Sequence, residues 1–246
     1  MGPDVAFAHE LADAADAITV ARFRALDLGV ETKPDLSPVT EADRAAEEAI
    51  RDLVSRRRDG EGVLGEEFGD DGGDVRWIVD PIDGTRNYVR GVPVWATLLA
   101  LEREGRVDAA LVSSPALGRR WWAARGEGAW ANGDRLAVSR IARLDDAVVS
   151  ISSPTQMPPG WSALAQRAWN ERGFGDFWQH CLVAEGSVDV AAEPWLMLWD
   201  YAAVQLLVEE AGGRCTTFGG GVPYERGSFL SSNGRLHDEA VALLSA

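Results

Sequence analysis

Residues 77–85, with the sequence WIVDPIDGT, restrict what this chain can fold into more than any other segment. The apolar start of the segment predicts a buried strand, and Pro81 holds a turn directly after that strand. Asp80 and Asp83 flank the turn, and Gly84-Thr85 is typical of a helix start. The segment therefore places two carboxylates beside free backbone N–H groups. Carboxylates hold Mg²⁺ through oxygen, and a helix amino terminus receives phosphate.

Further carboxylates stand at the ends of other predicted elements. Glu66 and Glu67 follow a predicted strand in the motif GEE, and Asp200 opens a predicted helix. Each acidic residue alone has a plainer explanation, because Asp80, Asp83 and Asp200 can cap helices and the two glutamates can form a solvated turn. Together, one glutamate and three aspartates at element ends favour a site for a pair of hard cations.

The hydrophobic pattern predicts a mixed α and β chain. Helical spacing covers residues 5–27, and Thr40 opens a second helix. Strands are then predicted over 62–66, 76–80, 92–101 and 106–113, and from residue 147 strands and helices alternate to the end. We therefore predict an α/β fold with an α+β part that binds metal and phosphate over 1–146. An α/β part that recognises substrate follows over 147–246, with a cleft between the two parts.

Composition excludes several classes of partner. The formal net charge is -15 and the pI is about 4.6, so the protein repels nucleic acid and anionic lipid. No apolar stretch approaches the roughly 20 residues that span a bilayer, and the first residues are acidic rather than basic. Cys181 and Cys215 make no disulfide framework and are expected to be buried and reduced. These features predict a cytoplasmic protein that binds neither nucleic acid nor membrane.

The motifs GEE, WIVDPIDGT and WDYAA occur in this order, and VTEAD precedes them at residues 39–43. This set resembles the inositol monophosphatase family of Mg²⁺-dependent, lithium-sensitive phosphatases, over residues 8–244. The resemblance implies a layered αβαβα fold like that of inositol monophosphatase and fructose-1,6-bisphosphatase. It also implies a homodimer that acts on a small phosphorylated metabolite.

The resemblance implies a ligand set for each metal ion. Glu66, Asp80 and the backbone carbonyl of Ile82 would hold one Mg²⁺. Asp80, Asp83 and Asp200 would hold a second, and a third, weaker Mg²⁺ would lie near Glu66.

The same resemblance assigns catalysis to Glu66, Thr85 and Asp43. Thr85 and Asp43 would orient the water that attacks phosphorus directly, without a covalent phosphoenzyme. The residues alone predict that Thr40 and Asp43 form a capping box, and both roles are compatible. Four residues from the motifs would contact the substrate, namely Asp83, Gly84, Thr85 and Asp200.

The segments RGFGDFW and VAEGSVDVAAEP are more similar to the histidinol-phosphate phosphatase branch of the family. L-Histidinol phosphate carries an ammonium and an imidazole, so a pocket lined by carboxylates would suit it. Glu193 matches the family glutamate that binds the non-phosphate part of the substrate, and Asp176 is a second carboxylate for that role. Arg172 resembles a family arginine near the substrate.

Plainer roles remain open for these residues. Asp176 can cap the next helix, Arg172 can pair at a subunit interface, and His180 is more typical of a core or interface position. An inositol-1-monophosphatase or related sugar phosphatase is the alternative function. A non-enzymatic relative is disfavoured because all of the metal carboxylates are retained.

Overall fold

The computed structural model describes residues 1–34, 36–153, 158, 160–223 and 225–245. Within these ranges the chain forms seven α-helices: α1 (Pro3–Arg22), α2 (Glu41–Arg57), α3 (Thr85–Val89), α4 (Trp161–Arg167), α5 (Asp176–Ala184), α6 (Leu198–Glu210) and α7 (His237–Leu244). Two short 3₁₀ turns lie at Pro115–Leu117 and Leu144–Asp146. None of the described helices combines the length and the apolar character needed to cross a membrane.

The strands form a hairpin and two larger sheets in the described ranges. The hairpin joins β1 (Val30–Thr32) and β2 (Pro38–Thr40). One sheet has the order β10-β9-β8-β7-β6-β5-β3-β4, and its strands are β3 (Gly62–Gly65), β4 (Gly69–Asp70), β5 (Val75–Asp83), β6 (Ala96–Arg103), β7 (Arg106–Ser114), β8 (Arg119–Ala124), β9 (Gly128–Ala131) and β10 (Asp134–Arg135). The other has the order β12-β11-β13-β15-β14, and its strands are β11 (Val148–Ile151), β12 (Asn170–Arg172), β13 (Val190–Met197), β14 (Arg214–Thr216) and β15 (Arg226–Ser232).

The eight-stranded sheet buries both of its faces, as strand alternation allows. On β5, Trp77 and Val79 pack with residues of α1 and α2. Ile78 faces the opposite way and packs with residues of α5 and α6. Helices from the second half of the chain therefore cover a sheet built by the first half.

The five-stranded sheet continues the stack. On β13, Ala191 packs in the core that contains α5 and α6, whereas Val190 and Ala192 pack with α4 and α7. The layers run helices, sheet, helices, sheet, helices, which confirms the predicted αβαβα arrangement. The division into parts 1–146 and 147–246 stays a prediction, because α5 and α6 share one core with both sheets.

Several element boundaries differ from those predicted. The first helix ends at Arg22 rather than at residue 27. The next residue, Phe23, has an extended backbone, and its ring packs against Tyr88 and Trp95. β6 starts at Ala96, four residues later than its hydrophobic pattern suggested. Helix α6 starts at Leu198, so Asp200 lies in its first turn rather than at its cap. Boundaries shift because tertiary contacts compete with local pattern at element ends.

Candidate active site

Three aspartates meet where β5 ends and α6 begins. Carboxylate oxygens of Asp80, Asp83 and Asp200 lie within 4.8 Å of one another. Asp80 is buried and the other two are partly buried. The pairing of β5 with β6 is irregular between Asp80 and Asp83, which lets both side chains turn toward the same point. Asp200 reaches the point from α6, where its Oδ2 accepts a 2.7 Å hydrogen bond from the Met197 amide.

The cluster is electrostatically costly for the protein alone. Burial and the neighbouring carboxylates raise the pKa values of Asp80 and Asp83 well above the ordinary range. Burial, together with the charges of Glu66 and Asp176, raises the pKa of Asp200 to about 7. Like charges at this spacing disfavour joint ionisation unless a cation or protons neutralise them.

The last residues of β5 and the turn into α3 hold their shape through local hydrogen bonds. The Ile82 amide donates to Asp80 Oδ1 over 3.0 Å, and the Thr85 hydroxyl lies 2.9 Å from the Ile82 carbonyl oxygen. Gly84 has φ 81° at the cap of α3, a left-handed conformation that glycine adopts without strain. A Cβ at Gly84 would also lie 3.0 Å from the Val94 carbonyl oxygen. The turn therefore requires glycine at this position.

Asp43 lies beside Thr85 in the way its two predicted roles require. Its Oδ2 accepts from the amide and the hydroxyl of Thr40, which completes the predicted capping box of α2. Its Oδ1 lies 3.4 Å from the Thr85 hydroxyl. Burial raises the pKa of Asp43 to about 6. The cap therefore occupies one carboxylate oxygen and leaves the other for Thr85.

Glu66 lies close to the aspartates because β3 runs parallel to β5. Its amide donates to the Val79 carbonyl over 3.2 Å, at the end of β3. β5 itself continues to Asp83, beyond its predicted end at residue 80. In the described residues, Glu66 is not part of the tight three-aspartate group. Its Oε1 instead forms a 2.8 Å ion pair with Lys33 Nζ. The same ammonium lies 2.6 Å from Glu67 Oε1.

Lys33 is a site residue that the sequence analysis missed. It is the only lysine among the 24 Lys and Arg residues. This single departure from arginine is the sequence feature that could have drawn attention to Lys33. Glu47 was also missed: its fully buried carboxylate accepts from the amides of Glu67 and Phe68 and from Arg51. Glu47 thereby anchors the turn that presents Glu66.

Asp176 lies on the opposite side of the cluster, at the start of α5. Its Oδ2 accepts a 2.9 Å hydrogen bond from Asn87 Nδ2, and Asp83 Oδ2 accepts a 2.7 Å bond from the Phe177 amide. Asp176 makes no side-chain cap on α5, so the plainer cap role does not apply. Burial raises the pKa of Asp176. The first and second halves of the chain therefore meet directly at this site.

Glu193 is almost fully buried on β13, and its Oε1 accepts from Ser152 and Gln179. Burial raises the pKa of Glu193 to about 8, with smaller contributions from Asp176 and Asp200. Arg172 differs, because it is exposed on the edge strand β12. Within the described ranges, its guanidinium donates to its neighbours, the Asn170 side chain and the Glu171 carbonyl. His180 is buried against Phe229 and Ser231, the predicted core position.

The residues present fit divalent magnesium. Mg²⁺ prefers oxygen ligands, and the cluster offers three carboxylates whose charges repel one another without a cation. The carbonyl oxygen of Ile82 lies near the end of β5, and Glu66 directly follows β3. The arrangement can bind a divalent cation together with an anionic group.

Known proteins resemble this chain in sequence and in fold. The sequence profile described as the inositol monophosphatase family matches residues 3–246. Proteins named histidinol-phosphatase from Mycobacterium tuberculosis and Streptomyces coelicolor are 50% and 52% identical, over 99% and 98% of this chain and 98% and 97% of their own lengths. The solved structure of a Thermotoga maritima IMPase superposes with a TM-score of 0.91 at 32% identity, covering 99% of this chain and 97% of that one. This chain therefore belongs to the inositol monophosphatase family.

Proposed function

We infer that this chain is a phosphomonoesterase that hydrolyses L-histidinol phosphate to L-histidinol and phosphate. The observation that carries this function is the meeting of two sets of carboxylates. Asp80, Asp83 and Asp200 form a cation site, and Asp176 and Glu193 lie close to it. Besides burial, the charge of Asp176 raises the pKa values of Asp83 and Asp200, and the charge of Asp200 raises the pKa of Glu193. A phosphate ester with a cationic amine matches both sets.

The chain's own residues position the attacking water. The Thr85 hydroxyl has one hydrogen and two acceptors in reach, the Ile82 carbonyl oxygen at 2.9 Å and Asp43 Oδ1 at 3.4 Å. When that hydrogen is donated to Asp43, the hydroxyl oxygen can accept a hydrogen from a water. Asp43 stays aligned because Thr40 holds its second oxygen. The water oxygen then bonds to phosphorus as its proton passes toward Thr85 and Asp43, and the bond from phosphorus to the ester oxygen breaks. The ester oxygen leaves as the alkoxide of histidinol and takes a proton from solvent.

We propose Glu66, Asp80, Asp83, Asp200 and the Ile82 carbonyl as the groups that hold Mg²⁺. When bound, Mg²⁺ neutralises phosphate charge and stabilises the leaving alkoxide. Gly84 and Thr85, at the start of α3, would receive the phosphate together with Asp83 and Asp200. Two ions are expected, and the third expected near Glu66 would compete with Lys33 for that carboxylate.

Glu193 and Asp176 would recognise the ammonium and imidazole of the substrate. Both carboxylates are mostly buried, so a cation placed between them is attracted more strongly than in water. Arg172 stays a weaker proposal, because its guanidinium is directed to its own strand.

The test is phosphate release from L-histidinol phosphate, inositol 1-phosphate and fructose 1,6-bisphosphate with Mg²⁺. The highest kcat/KM is expected for L-histidinol phosphate. Glu193→Gln should lower that value by about 10- to 150-fold, the worth of a charge-assisted hydrogen bond, and should spare a neutral ester. Preference of the wild type for inositol 1-phosphate would overturn the histidinol assignment and leave a phosphatase of the same family.

We further propose that the enzyme works as a homodimer in the cytoplasm. Cys181 and Cys215 are free and buried, as expected of a protein in a reducing compartment. The net charge of -15 disfavours nucleic acid as a partner. Light scattering coupled to size exclusion measures the dimer directly, and a monomeric mass would contradict it.

A further inference from the structure

Three polar side chains lie buried between α5 and the five-stranded sheet. Ser150 on β11 and Gln179 on α5 are fully buried, and Glu193 on β13 is 5% exposed. Buried polar groups cost free energy unless they are hydrogen-bonded. These three are bonded to one another and to Ser152, in a single network beneath the proposed substrate pocket.

Hydrogen-bond directions in this network follow from its backbone donors. The Phe174 amide donates to Ser150 Oγ, so the Ser150 hydroxyl hydrogen is free to donate to Gln179 Oε1 over 2.7 Å. This bond fixes the Gln179 amide with its NH₂ group toward Glu193 Oε1. The opposite orientation would place two acceptors against each other.

Ser152 is oriented by the same logic. Its hydroxyl oxygen accepts a 2.8 Å bond from the Asp176 amide, and its hydrogen is donated to Glu193 Oε1. Asp176 has φ 47°, a conformation that costs free energy for a residue other than glycine. The bond to Ser152 helps to hold Asp176 in that conformation.

The two side-chain donors next to Glu193, the Gln179 NH₂ group and the Ser152 hydroxyl, therefore converge on one oxygen, Oε1. In the part of the chain that the structure describes, the hydrogen bonds of this carboxylate end on Oε1, and none ends on Oε2. A carboxylate held by one oxygen keeps the other for a ligand. The same serine that holds Glu193 also fixes the backbone of Asp176.

We propose that Gln179 and Ser152 are positioning residues that set the specificity of this enzyme for a cationic substrate. They hold Glu193 by Oε1 so that Oε2 faces the ammonium or imidazolium of the substrate, and they hold Asp176 beside it. The inference rests on the proposed function, because it assigns how the same pocket recognises the amine.

Gln179→Met tests the proposal, because methionine keeps the side-chain length and removes both amide hydrogen bonds. We expect KM for L-histidinol phosphate to rise about 10-fold, with kcat changed less than 3-fold, since one charge-assisted hydrogen bond is lost at a recognition residue. Inositol 1-phosphate, which has no amine, should be hydrolysed within about 2-fold of the wild-type rate, since the loss is confined to recognition of the charge. Calorimetry should show the same loss in affinity for L-histidinol.

Three further variants separate positioning from a general structural role. Ser152→Ala removes one donor and should act in the same direction, whereas Ser152→Thr keeps the hydroxyl and should retain the wild-type KM. Gln205→Met is the matched control, because the Gln205 amide bonds Glu209 on α6. In the background of Glu193→Gln, Gln179→Met should add less than its single effect, because both variants act through one carboxylate.

The outcomes separate this inference from the proposed function. Equal losses on the amine and neutral substrates, or a wild-type KM for both Gln179→Met and Ser152→Ala, would overturn the positioning role. If Gln179→Met fails to fold, Ser152→Ala at its partly exposed position decides the question alone. A wild-type enzyme inactive on L-histidinol phosphate would instead overturn the proposed function.

Discussion

At the scale of single residues, the site consists of side chains that each serve two partners. Asp43 caps α2 with one oxygen and contacts Thr85 with the other. Glu66 follows β3 and also pairs with Lys33. Such shared residues keep a cluster of like charges satisfied by hydrogen bonds until a cation and a substrate arrive.

Removal of the Thr85 hydroxyl or the Asp43 charge should reduce turnover rather than binding. In Thr85→Ala and Asp43→Asn we expect kcat to fall by at least about 10²-fold, because a water oriented for attack matters mainly in the transition state. KM should stay within a few-fold. Steady-state kinetics measures both values, and Thr85→Ser, which keeps the hydroxyl, is the control. Near-normal kcat in both variants would leave Asp43 as a helix cap only.

Lys33 should compete with Mg²⁺ for Glu66. In Lys33→Met the site loses the positive charge that competes with the cation. We expect the Mg²⁺ dissociation constant to fall by about 5-fold, because a partly exposed ion pair is worth roughly 1 kcal/mol. Calorimetric Mg²⁺ titration measures this, and Lys33→Arg should stay near wild type because it keeps the charge. An unchanged affinity in Lys33→Met would show that the ammonium does not share the site.

At the scale of elements, parallel strands and helix starts gather the carboxylates. β3 and β5 are parallel, and β3 ends with Gly65 opposite Val79, which brings Glu66 beside Asp80. The first turn of α5 supplies the Phe177 amide, which donates to Asp83. The first turn of α6 supplies Asp200 itself. Backbone donors at helix starts stabilise carboxylates that burial would otherwise protonate.

The end of β3 depends on a glycine at position 65. A Cβ there would overlap the carboxylate of Glu47, which anchors the following turn. We expect Gly65→Ala to destabilise the fold by about 1–3 kcal/mol and to weaken Mg²⁺ binding, because Glu66 must shift with the turn. Urea unfolding and Mg²⁺ titration measure the two effects. Gly219→Ala, where a Cβ meets only ordinary contacts, is the control, and equal stability of the two variants would contradict the argument.

At the scale of the whole molecule, five layers share their cores across the two halves of the chain. α5 and α6 pack between the sheets, and the site lies where both helices begin. The stability of the fold and the occupancy of the site are therefore linked. Ligands that bind only the folded chain raise its apparent stability.

Mg²⁺ should stabilise this protein more as pH rises. Without metal, Asp200 and Glu193, with pKa values near 7 and 8, keep their protons above about pH 4, where the unfolded chain has lost them, and release them only by about pH 8.5. These two groups therefore lower the stability of the metal-free protein as pH rises through this window. His180 and His237 act in the opposite sense below about pH 6.5, because burial lowers their pKa values to about 3 and about 4 and the unfolded chain binds the protons. The net fall in stability is therefore expected above about pH 6.5.

Differential scanning fluorimetry with and without saturating Mg²⁺ measures this linkage. We expect Mg²⁺ to raise Tm by about 5 °C or more at pH 8 and by less at pH 6.5. Equal Tm shifts at the two pH values would contradict the carboxylate cluster as the source of the pH dependence.

Turnover should also depend on metal. EDTA should abolish phosphate release, and added Mg²⁺ should restore it. Full activity in EDTA would contradict metal dependence.

The fold class, the family and the acidic residues that meet at this site were all predictable from sequence. These residues stand at the ends of short apolar runs such as 77–79, and local pattern is enough to place a side chain at the end of an element. The capping box of Thr40 and Asp43 was equally local, because its partners are three residues apart.

Contacts between distant elements set which side chains meet these carboxylates. Lys33 reaches Glu66 from the β1–β2 hairpin, Asn87 reaches Asp176 across 89 positions, and Gln179 reaches Glu193 from another layer. No local periodicity encodes such pairs, because stacking of the layers sets which helix start faces which strand end. The pKa values of the site follow the same rule, since burial by that stacking raises them.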